Sequence, residues 1–280
     1  MSDTIVVGVA KEPATRRAAG WAVARAAARG EQVELLGVVG GAVGAVGEGE
    51  LVAAAMAATQ EMLDAEAHRH SESGVAIRTR VEVGDPVAAL VDASKDAVLI
   101  VLGSDYRGPE SGPARGSRGI RIVADAACPV VVVPDLELGD RRGVVVGVDG
   151  SPVSAGAIAF AAAEAARAGE PLIAVAVWSP IASPRHAPLV IPEDYRSGMN
   201  LVAHETLDEA LAEVRLQHPG LVIDDRAVEG YPSAVINQLA TDARLAVVGS
   251  RGRGPVRRFL LGSISHEVLQ RLATVTAVVR

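Results

Sequence analysis

The residues of this sequence best suited to chemistry lie in a glycine-rich segment near its carboxyl end. Glycines stand at 249 and 252, directly after the apolar run 245–248, and the segment 262–265 reads Gly-Ser-Ile-Ser. A strand that ends in a glycine turn and leads into a helix presents backbone N–H groups to a phosphate, and the hydroxyls of Ser263 and Ser265 add donors there. This segment therefore predicts a phosphate-bearing ligand.

The spacing of the segment argues against the two commonest phosphate-binding signatures. A P-loop needs a Gly-Lys-Ser/Thr ending, but Lys11 and Lys95 are the only lysines of the chain and neither follows a glycine. A Rossmann fingerprint reads Gly-x-Gly-x2-Gly after the first strand of its domain, whereas these glycines read Gly-x2-Gly-x-Gly after the last strand but one. The P-loop is excluded, and the Rossmann site is disfavoured.

The elements that must position these residues occur twice, because the chain repeats itself. A shift of 139 residues places 6–9 on 145–148, and a shift of 146 places Gly103 on Gly249. A repeat of this length indicates two whole domains rather than the units of a solenoid.

The repeat also predicts where the two domains begin and end. We predict one module over 1–136 and a second over 142–280, joined by a short polar segment. The change of offset indicates a seven-residue insertion between the second strand and the second helix, where 40–49 and 179–198 are predicted as loops.

Each half alternates apolar strand segments with alanine-rich helical segments. For the second half we predict strands at 143–148, 172–178, 221–227, 245–249 and 275–279, and helices at 152–168, 199–218, 232–243 and 263–273. The pattern predicts an α/β fold of two tandem doubly wound domains, each a five-stranded parallel sheet with helices on both faces. Ligands of such sheets bind beyond the carboxyl ends of the strands where the strand order reverses, which points to the loops after the first and fourth strands.

These two loops of the second half resemble the universal stress proteins of the ATP-binding kind. The signature of that family is an aspartate closing the first strand, here Asp149, and the spacing Gly-x2-Gly-x9-Gly-Ser/Thr after the fourth, here starting at Gly249. The resemblance covers essentially the whole chain as two modules, and it implies a fold like that of the adenine nucleotide alpha hydrolases. The nucleotide-binding residues that it implies are Asp149, Val177, Gly249, Arg251, Gly252, Gly262, Ser263, Ile264 and Ser265.

The resemblance also implies a function. ATP, alone or with magnesium, is the expected ligand, with Asp149 and the backbone around Val177 at adenine and ribose and the glycine segment at ribose and phosphates. A nucleotide-dependent regulator of the stress response is expected, with slow ATP hydrolysis at most and no assigned catalytic residue. A homodimer and a regulatory protein partner are implied in the same way.

A purely structural reading of the same residues is open from the sequence alone. The glycines also suit ordinary tight turns, and Ser263 also suits the N-cap of a helix. Asp149 also suits an Asx turn before Ser151, which would itself cap a helix that has Pro152 at its first position.

The first half departs from the signature at three positions. It has Ala10, Tyr106 and Gly119 where the second half has Asp149, Gly252 and Ser265. A tyrosine at the middle glycine takes up space that ribose or phosphate needs, and alanine removes a polar contact to adenosine. We therefore predict a degenerate nucleotide site in the first module and an intact one in the second.

Composition excludes several other classes of protein. The net charge of −7 and the lack of a Lys/Arg-rich block argue against a nucleic-acid partner. No apolar run approaches the roughly 20 residues of a membrane span, and no signal peptide is evident, so a cytoplasmic location is expected. Cys128 is the only cysteine, which excludes an internal disulfide, and the histidines do not have metal-ligand spacing.

Two other functions are weighed against nucleotide-dependent regulation. An adenylating enzyme of a related α/β superfamily needs a Ser-Gly-Gly-x-Asp-Ser loop after its first strand, where this chain has Asp-Gly-Ser-Pro at 149–152. A dimerisation scaffold without nucleotide is the other alternative, and the intact motif of the second half argues against it. Neither a general base nor a second carboxylate beside Asp149 is evident for fast turnover or for fixing magnesium.

Overall fold

A computed structural model describes residues 3–10, 13–40, 48–114, 117–179, 192–252 and 261–280. The chain divides into two compact units, Met1–Leu136 and Glu137–Arg280, which we call unit 1 and unit 2. Gly254, the third glycine of the Gly-x2-Gly-x-Gly spacing, lies outside the described part of the chain, as do residues 41–47 and 180–191 of the predicted loops.

Unit 1 is a five-stranded parallel sheet with its helices between successive strands. Its sheet order is β3-β2-β1-β4-β5, so the chain leaves the central strand β1 first on one side and later on the other. Its elements are β1 Thr4–Val9, α1 Pro13–Arg29, β2 Gln32–Val39, α2 Glu48–Arg69, β3 Ile77–Val83, α3 Pro86–Ala93, β4 Leu99–Ser104, α4 Ser117–Asp125 and β5 Val130–Pro134.

Unit 2 repeats this arrangement, with β6 in the place of β1. Its sheet order is β8-β7-β6-β9-β10, again with every pair parallel. The two units together confirm the predicted α/β fold of tandem doubly wound domains. The elements of unit 2 are β6 Val144–Val148, α5 Pro152–Ala168, β7 Leu172–Trp178, α6 Glu193–Gln217, β8 Ile223–Glu229, α7 Pro232–Ala240, β9 Leu245–Gly249, α8 Ser263–Gln270 and β10 Val275–Val279.

The core of each unit forms where small helix residues meet β-branched strands. In unit 2, Ala157, Ala161 and Ala165 recur every fourth residue of α5 and have no exposed surface. Helix residues four apart share one face, so this alanine stripe lets α5 approach the sheet closely. All five residues of β10 are buried, as expected of a strand covered on both faces.

Helix α5 is fixed at both ends by local chemistry. Ser151 is its N-cap, and the Ser151 hydroxyl accepts a hydrogen bond from the backbone N–H of Ser154 at 3.2 Å. Pro152 occupies the first helical position, and Gly169 ends the helix in the left-handed conformation with φ 63°. The start of α5 is therefore held firmly beside the end of β6.

The predicted loops around the insertion are wrong at their carboxyl ends. Helix α6 begins at Glu193 and includes 193–198, and α2 begins at Glu48 within the predicted loop 40–49. Glu193 and Asp194 stand in the first turn of α6, where carboxylates interact favourably with the positive end of the helix dipole. An exposed first turn carries no apolar periodicity, so the sequence pattern does not show it.

Three other predicted elements have boundaries that are wrong by two or three residues. Strand β8 runs two residues later than predicted, because the backbone N–H of Leu221 closes a turn onto the carbonyl of His218. Helix α7 ends at Ala240 and α8 at Gln270, each three residues early. Hydrogen bonds to residues three positions back tighten the backbone after both helices.

The described residues contain neither a helix that could span a membrane nor a cluster of metal-ligating side chains. None of the helices in the described ranges is both long enough and apolar enough to cross a membrane. The same ranges contain no group of three or more His, Cys, Asp or Glu side chains placed to hold a metal ion.

Cys128 provides a test of how closely the sheet of unit 1 is packed. Burial raises the pKa of its thiol to about 11, so almost none of it is thiolate at pH 8. We expect a thiol-specific reagent at pH 8 to label the folded protein slowly and the urea-unfolded protein rapidly. Because the chain has one cysteine, the labelled fraction can be read per chain. Rapid labelling of the folded protein would contradict the burial of Cys128.

Candidate functional site

The candidate site lies at the carboxyl edge of the sheet in unit 2, where β6 and β9 are neighbours. Val144 pairs with Leu245 and Val146 with Val247, so the loops that follow the two strands start side by side. The order of strands reverses between β6 and β9, and a crevice at such a point is where doubly wound sheets bind ligands. The topology therefore brings the two predicted loops to one place.

The loop after β6 is ordered by hydrogen bonds around Asp149. The Oδ1 atom of Asp149 accepts from the backbone N–H of Ser151 at 2.9 Å, and the Asp149 N–H donates to the hydroxyl of Ser154 at 3.3 Å. Gly150 has φ 72°, a conformation that glycine adopts without strain. The Asx turn left open by the sequence is present, and it uses one of the two carboxylate oxygens.

The second carboxylate oxygen of Asp149 lies against Gly252, and this contact joins the two loops. A Cβ atom placed on Gly252 would lie 2.6 Å from Oδ2 of Asp149, closer than real Cβ contacts come. Glycine at 252 therefore lets the backbone after β9 approach the carboxylate. The two residues are 103 positions apart in sequence, and the fold alone brings them together.

The glycine turn after β9 is tied to helix α8 by two hydrogen bonds. The Ser265 hydroxyl donates to the carbonyl of Gly249 at 2.5 Å, and the Gly262 N–H donates to the carbonyl of Ser250 at 2.8 Å. Both of these predicted phosphate donors are thus used within the protein. The hydroxyl of Ser265 reaches a phosphate only by giving up its bond to Gly249, so in this structure it anchors the turn.

Among the described residues, no acceptor is found for the first backbone N–H groups of α8. The first N–H groups of a helix have no intrahelical partner. In α8 these are the N–H groups of Ser263, Ile264 and Ser265. The first backbone bond at this end is donated by His266 to the carbonyl of Gly262, at 2.9 Å. The positive end of the helix dipole adds to these donors, so an anion is favoured here.

Ser250 is a site residue that reasoning from the sequence missed. It is 2% exposed, and its hydroxyl has no hydrogen-bond partner among the described residues. Its counterpart in unit 1 is Ser104, whose hydroxyl accepts from the backbone N–H of Tyr106 at 3.3 Å. Buried hydroxyls are seldom left unpaired, so Ser250 marks a place where the described part of unit 2 supplies no partner. In the sequence, the only signal at this position is the alignment of Ser250 with Ser104 in the repeat.

Val177 and Arg251, two more of the predicted site residues, lie at the end of β7 and on the turn after β9. Val177 is the last residue but one of β7, is half-buried and pairs with Val228 of β8. Arg251 is half-buried and stands between Ser250 and Gly252 on the turn. The structure thus places one at the end of the strand beside β6 and the other at the glycine turn.

In unit 1 the corresponding loops make hydrogen bonds of their own, and a cavity lined in part by Ala10 and Thr15 remains beside the first of them. The N–H of Ala10 donates to the hydroxyl of Thr15 at 3.1 Å, and that hydroxyl donates back to the Ala10 carbonyl at 2.9 Å. Tyr106 is 5% exposed, and its carbonyl accepts from the N–H of Asp135 at 2.9 Å. The tyrosine that stands at the position of the middle glycine is thus buried in unit 1.

Helix α8 is also fastened to the neighbouring helix α7. The carboxylate of Glu267 accepts from the phenol of Tyr231 at 2.9 Å and from the hydroxyl of Ser233 at 2.8 Å. The hydrogen bond to Glu267, with the charge of that carboxylate, raises the pKa of Tyr231. These bonds tie α8 to the start of α7.

Comparison with known proteins finds one matching family and several relatives of this chain. A family model described as the universal stress protein family matches residues 1–134 and again residues 141–280. A universal stress protein of Mycobacterium tuberculosis is 35% identical over 199 residues, which cover 70% of this chain and 66% of the relative. A second one from that organism is 35% identical over 198 residues, which cover 69% of this chain and 65% of the relative. The match thus spans slightly less than two thirds of either relative's length.

Solved structures resemble the fold over nearly the whole chain. A universal stress protein from Archaeoglobus fulgidus superimposes with a TM-score of 0.72 at 20% identity, covering 99% of this chain and 98% of the other. A protein of the same description from Pseudomonas aeruginosa gives a TM-score of 0.63 at 17% identity, covering 99% and 92%. At these identities the likeness concerns the fold.

Proposed function

Because this chain belongs to the universal stress protein family, we propose that it binds ATP in unit 2 and acts as a nucleotide-dependent regulator of the stress response. One observation carries the proposal. The second carboxylate oxygen of Asp149, which has no hydrogen-bond partner among the described residues, lies against the glycine turn at Gly252, at the point where the strand order reverses. This arrangement combines an acceptor for adenosine with a turn that leads to the donors of α8.

Each part of ATP has a suitable group in this arrangement. The second carboxylate oxygen of Asp149 suits an N–H or O–H donor of adenosine, because an ionised carboxylate is an acceptor only. The first N–H groups of α8 suit the phosphates, because they carry the positive end of the helix dipole. Any magnesium would come with the triphosphate, since the described residues offer no cluster of three metal-ligating side chains.

We propose binding rather than fast catalysis. Asp149 already holds the turn through one oxygen, and we assign no residue as a general base for water. ATP turnover should therefore stay far below the typical enzyme value of about 10 per second. A brisk magnesium-dependent ATPase activity that one carboxylate substitution abolishes would identify an enzyme instead.

The difference between the units predicts the stoichiometry of binding. We expect isothermal titration of the full chain with ATP to give about one site per chain. In unit 1, Tyr106 is buried at the position of Gly252 and Ala10 replaces the carboxylate of Asp149. Two sites of equal affinity in one chain would contradict this prediction, and no binding at all would overturn the proposed function.

A substitution at Asp149 separates ligand contact from turn formation. We expect Asp149→Ala to weaken ATP, ADP and adenosine by similar factors, about 0.5–1.5 kcal/mol each, because the three ligands share the adenosine part. Asp149→Asn is the matched control, because its amide oxygen still accepts from the Ser151 N–H and so preserves the turn. If Asp149→Ala lowers the melting temperature while affinity per folded molecule is unchanged, Asp149 serves the turn alone.

The proposed assembly rests on the family rather than on this site. We propose that the chain forms a homodimer and that a regulatory protein partner reads its nucleotide state. Analytical ultracentrifugation with and without ATP tests the first part. A monomer under both conditions would overturn the proposed homodimer and leave nucleotide binding unaffected.

A further inference from the structure

Trp178 has a buried hydrogen-bond donor for which the described residues provide no acceptor. It is the last residue of β7 and is 8% exposed, and its indole N–H has no acceptor among the described residues. The indole nitrogen is a donor only, and buried tryptophans usually pair it because an unpaired buried donor is unfavourable. An acceptor from outside the protein would satisfy it.

The position of Trp178 indicates which part of a nucleotide would supply that acceptor. Strands β7 and β9 flank β6 on opposite sides, and neighbouring strands are about 4.8 Å apart, so the ends of β7 and β9 are about 10 Å apart. The phosphate donors of the proposed site lie on the β9 side, at the start of α8. A nucleotide laid across the end of β6 therefore has its base on the β7 side, beside Val177 and Trp178.

The repeat shows that this donor belongs to unit 2 alone. The counterpart of Trp178 in unit 1 is Val39, whose side chain has no polar atom. Trp178 and Ser250, at the ends of the two strands that flank β6, both have unpaired polar side-chain atoms. A third such atom, Oδ1 of Asn237, lies in the middle of α7 and not at a strand end. The unpaired groups at the strand ends thus occur in the unit that keeps Asp149.

We propose that the indole N–H of Trp178 donates a hydrogen bond to a ring nitrogen of the adenine base, which makes Trp178 a base-binding residue. This inference rests on the proposed nucleotide site in unit 2. Adenine has unsubstituted ring nitrogens that accept hydrogen bonds, whereas the proposed phosphate donors lie on the other side of β6. The indole nitrogen is covered in the structure, so binding of the base requires a local movement of the side chains around the ring.

The indole N–H signals in a proton–nitrogen NMR spectrum of the full chain test this directly. The chain has two tryptophans, Trp21 in α1 and Trp178 in β7, and Trp21→Phe assigns the two signals. We expect saturating ATP or adenosine to move the Trp178 signal downfield, and the Trp21 signal to stay in place. Inorganic tripolyphosphate, which lacks a base, should leave both signals unchanged.

Calorimetry on Trp178→Phe provides a second readout. Phenylalanine keeps an aromatic ring and removes the donor, so the affinities for ATP and adenosine should each fall about 3- to 10-fold. Trp21→Phe is the matched control and should bind ATP as the wild type does. If Trp178→Phe fails to fold, the NMR titration of the wild-type chain still decides.

The outcomes separate this inference from the proposed function. If ATP binds but the Trp178 signal stays in place and Trp178→Phe keeps full affinity, the inference is overturned and nucleotide binding stands. A shift caused equally by tripolyphosphate would also overturn the assignment to the base. If the wild-type chain binds no ATP or adenosine, the proposed function falls and this inference falls with it.

Discussion

Gly252→Ala is expected to weaken ATP binding to unit 2 by about 1–3 kcal/mol. The added Cβ would lie 2.6 Å from Oδ2 of Asp149, so either the turn or the carboxylate must move. Movement of the carboxylate would strain the hydrogen bond that its other oxygen accepts from the N–H of Ser151 at 2.9 Å. The substitution therefore disturbs both predicted ligand-binding loops at once, and titration calorimetry with ATP measures the loss.

Gly198→Ala is the matched control for this substitution. Gly198 lies in α6 of the same unit, and a Cβ placed there meets no atom within 4 Å. Alanine also has the higher helix propensity, so this variant should bind ATP normally and be at least as stable as the wild type. Unchanged ATP affinity in Gly252→Ala would show that the approach of Asp149 to the turn does not matter for binding.

Gly103→Ala is expected to lower the free energy of unfolding of unit 1 by about 1–3 kcal/mol. A Cβ at 103 would lie 2.7 Å from both the carbonyl carbon and the oxygen of Ala14. These are backbone atoms at the start of α1, so no side-chain rotation relieves the clash and the helix must move away from β4. Urea denaturation followed by the fluorescence of Trp21, in a Trp178→Phe background, reports on unit 1.

The control is the equivalent substitution in unit 2, Gly249→Ala, because Gly249 is less crowded than Gly103. A Cβ at 249 would lie 3.1 Å from the carbonyl oxygen of Arg251 and 3.1 Å from Cγ1 of Val153. Part of this crowding comes from a side chain, so Gly249→Ala should destabilise its unit less than Gly103→Ala destabilises unit 1. The opposite order of effects would contradict the packing seen at the two strand ends.

The sequence by itself determined the fold and several element boundaries to the residue. Strands β7, β9 and β10 and helix α5 have the predicted bounds. Strands buried on both faces are apolar along nearly their whole length, and α5 is bracketed by Ser151-Pro152 and Gly169, so each boundary carries its own chemical signal. Where the boundary residues are exposed and polar, as at Glu193, no such signal exists and the prediction failed.

The sequence also placed the candidate site, because glycine spacing and a strand-closing aspartate are local patterns. It did not determine which polar groups remain available there. The Ser265 hydroxyl donates to the carbonyl of Gly249, and the second oxygen of Asp149 lies against Gly252. Ser250 and Trp178 have unpaired polar atoms among the described residues. Whether a donor or acceptor is satisfied depends on atoms brought from distant positions of the chain, so only the tertiary structure decided it.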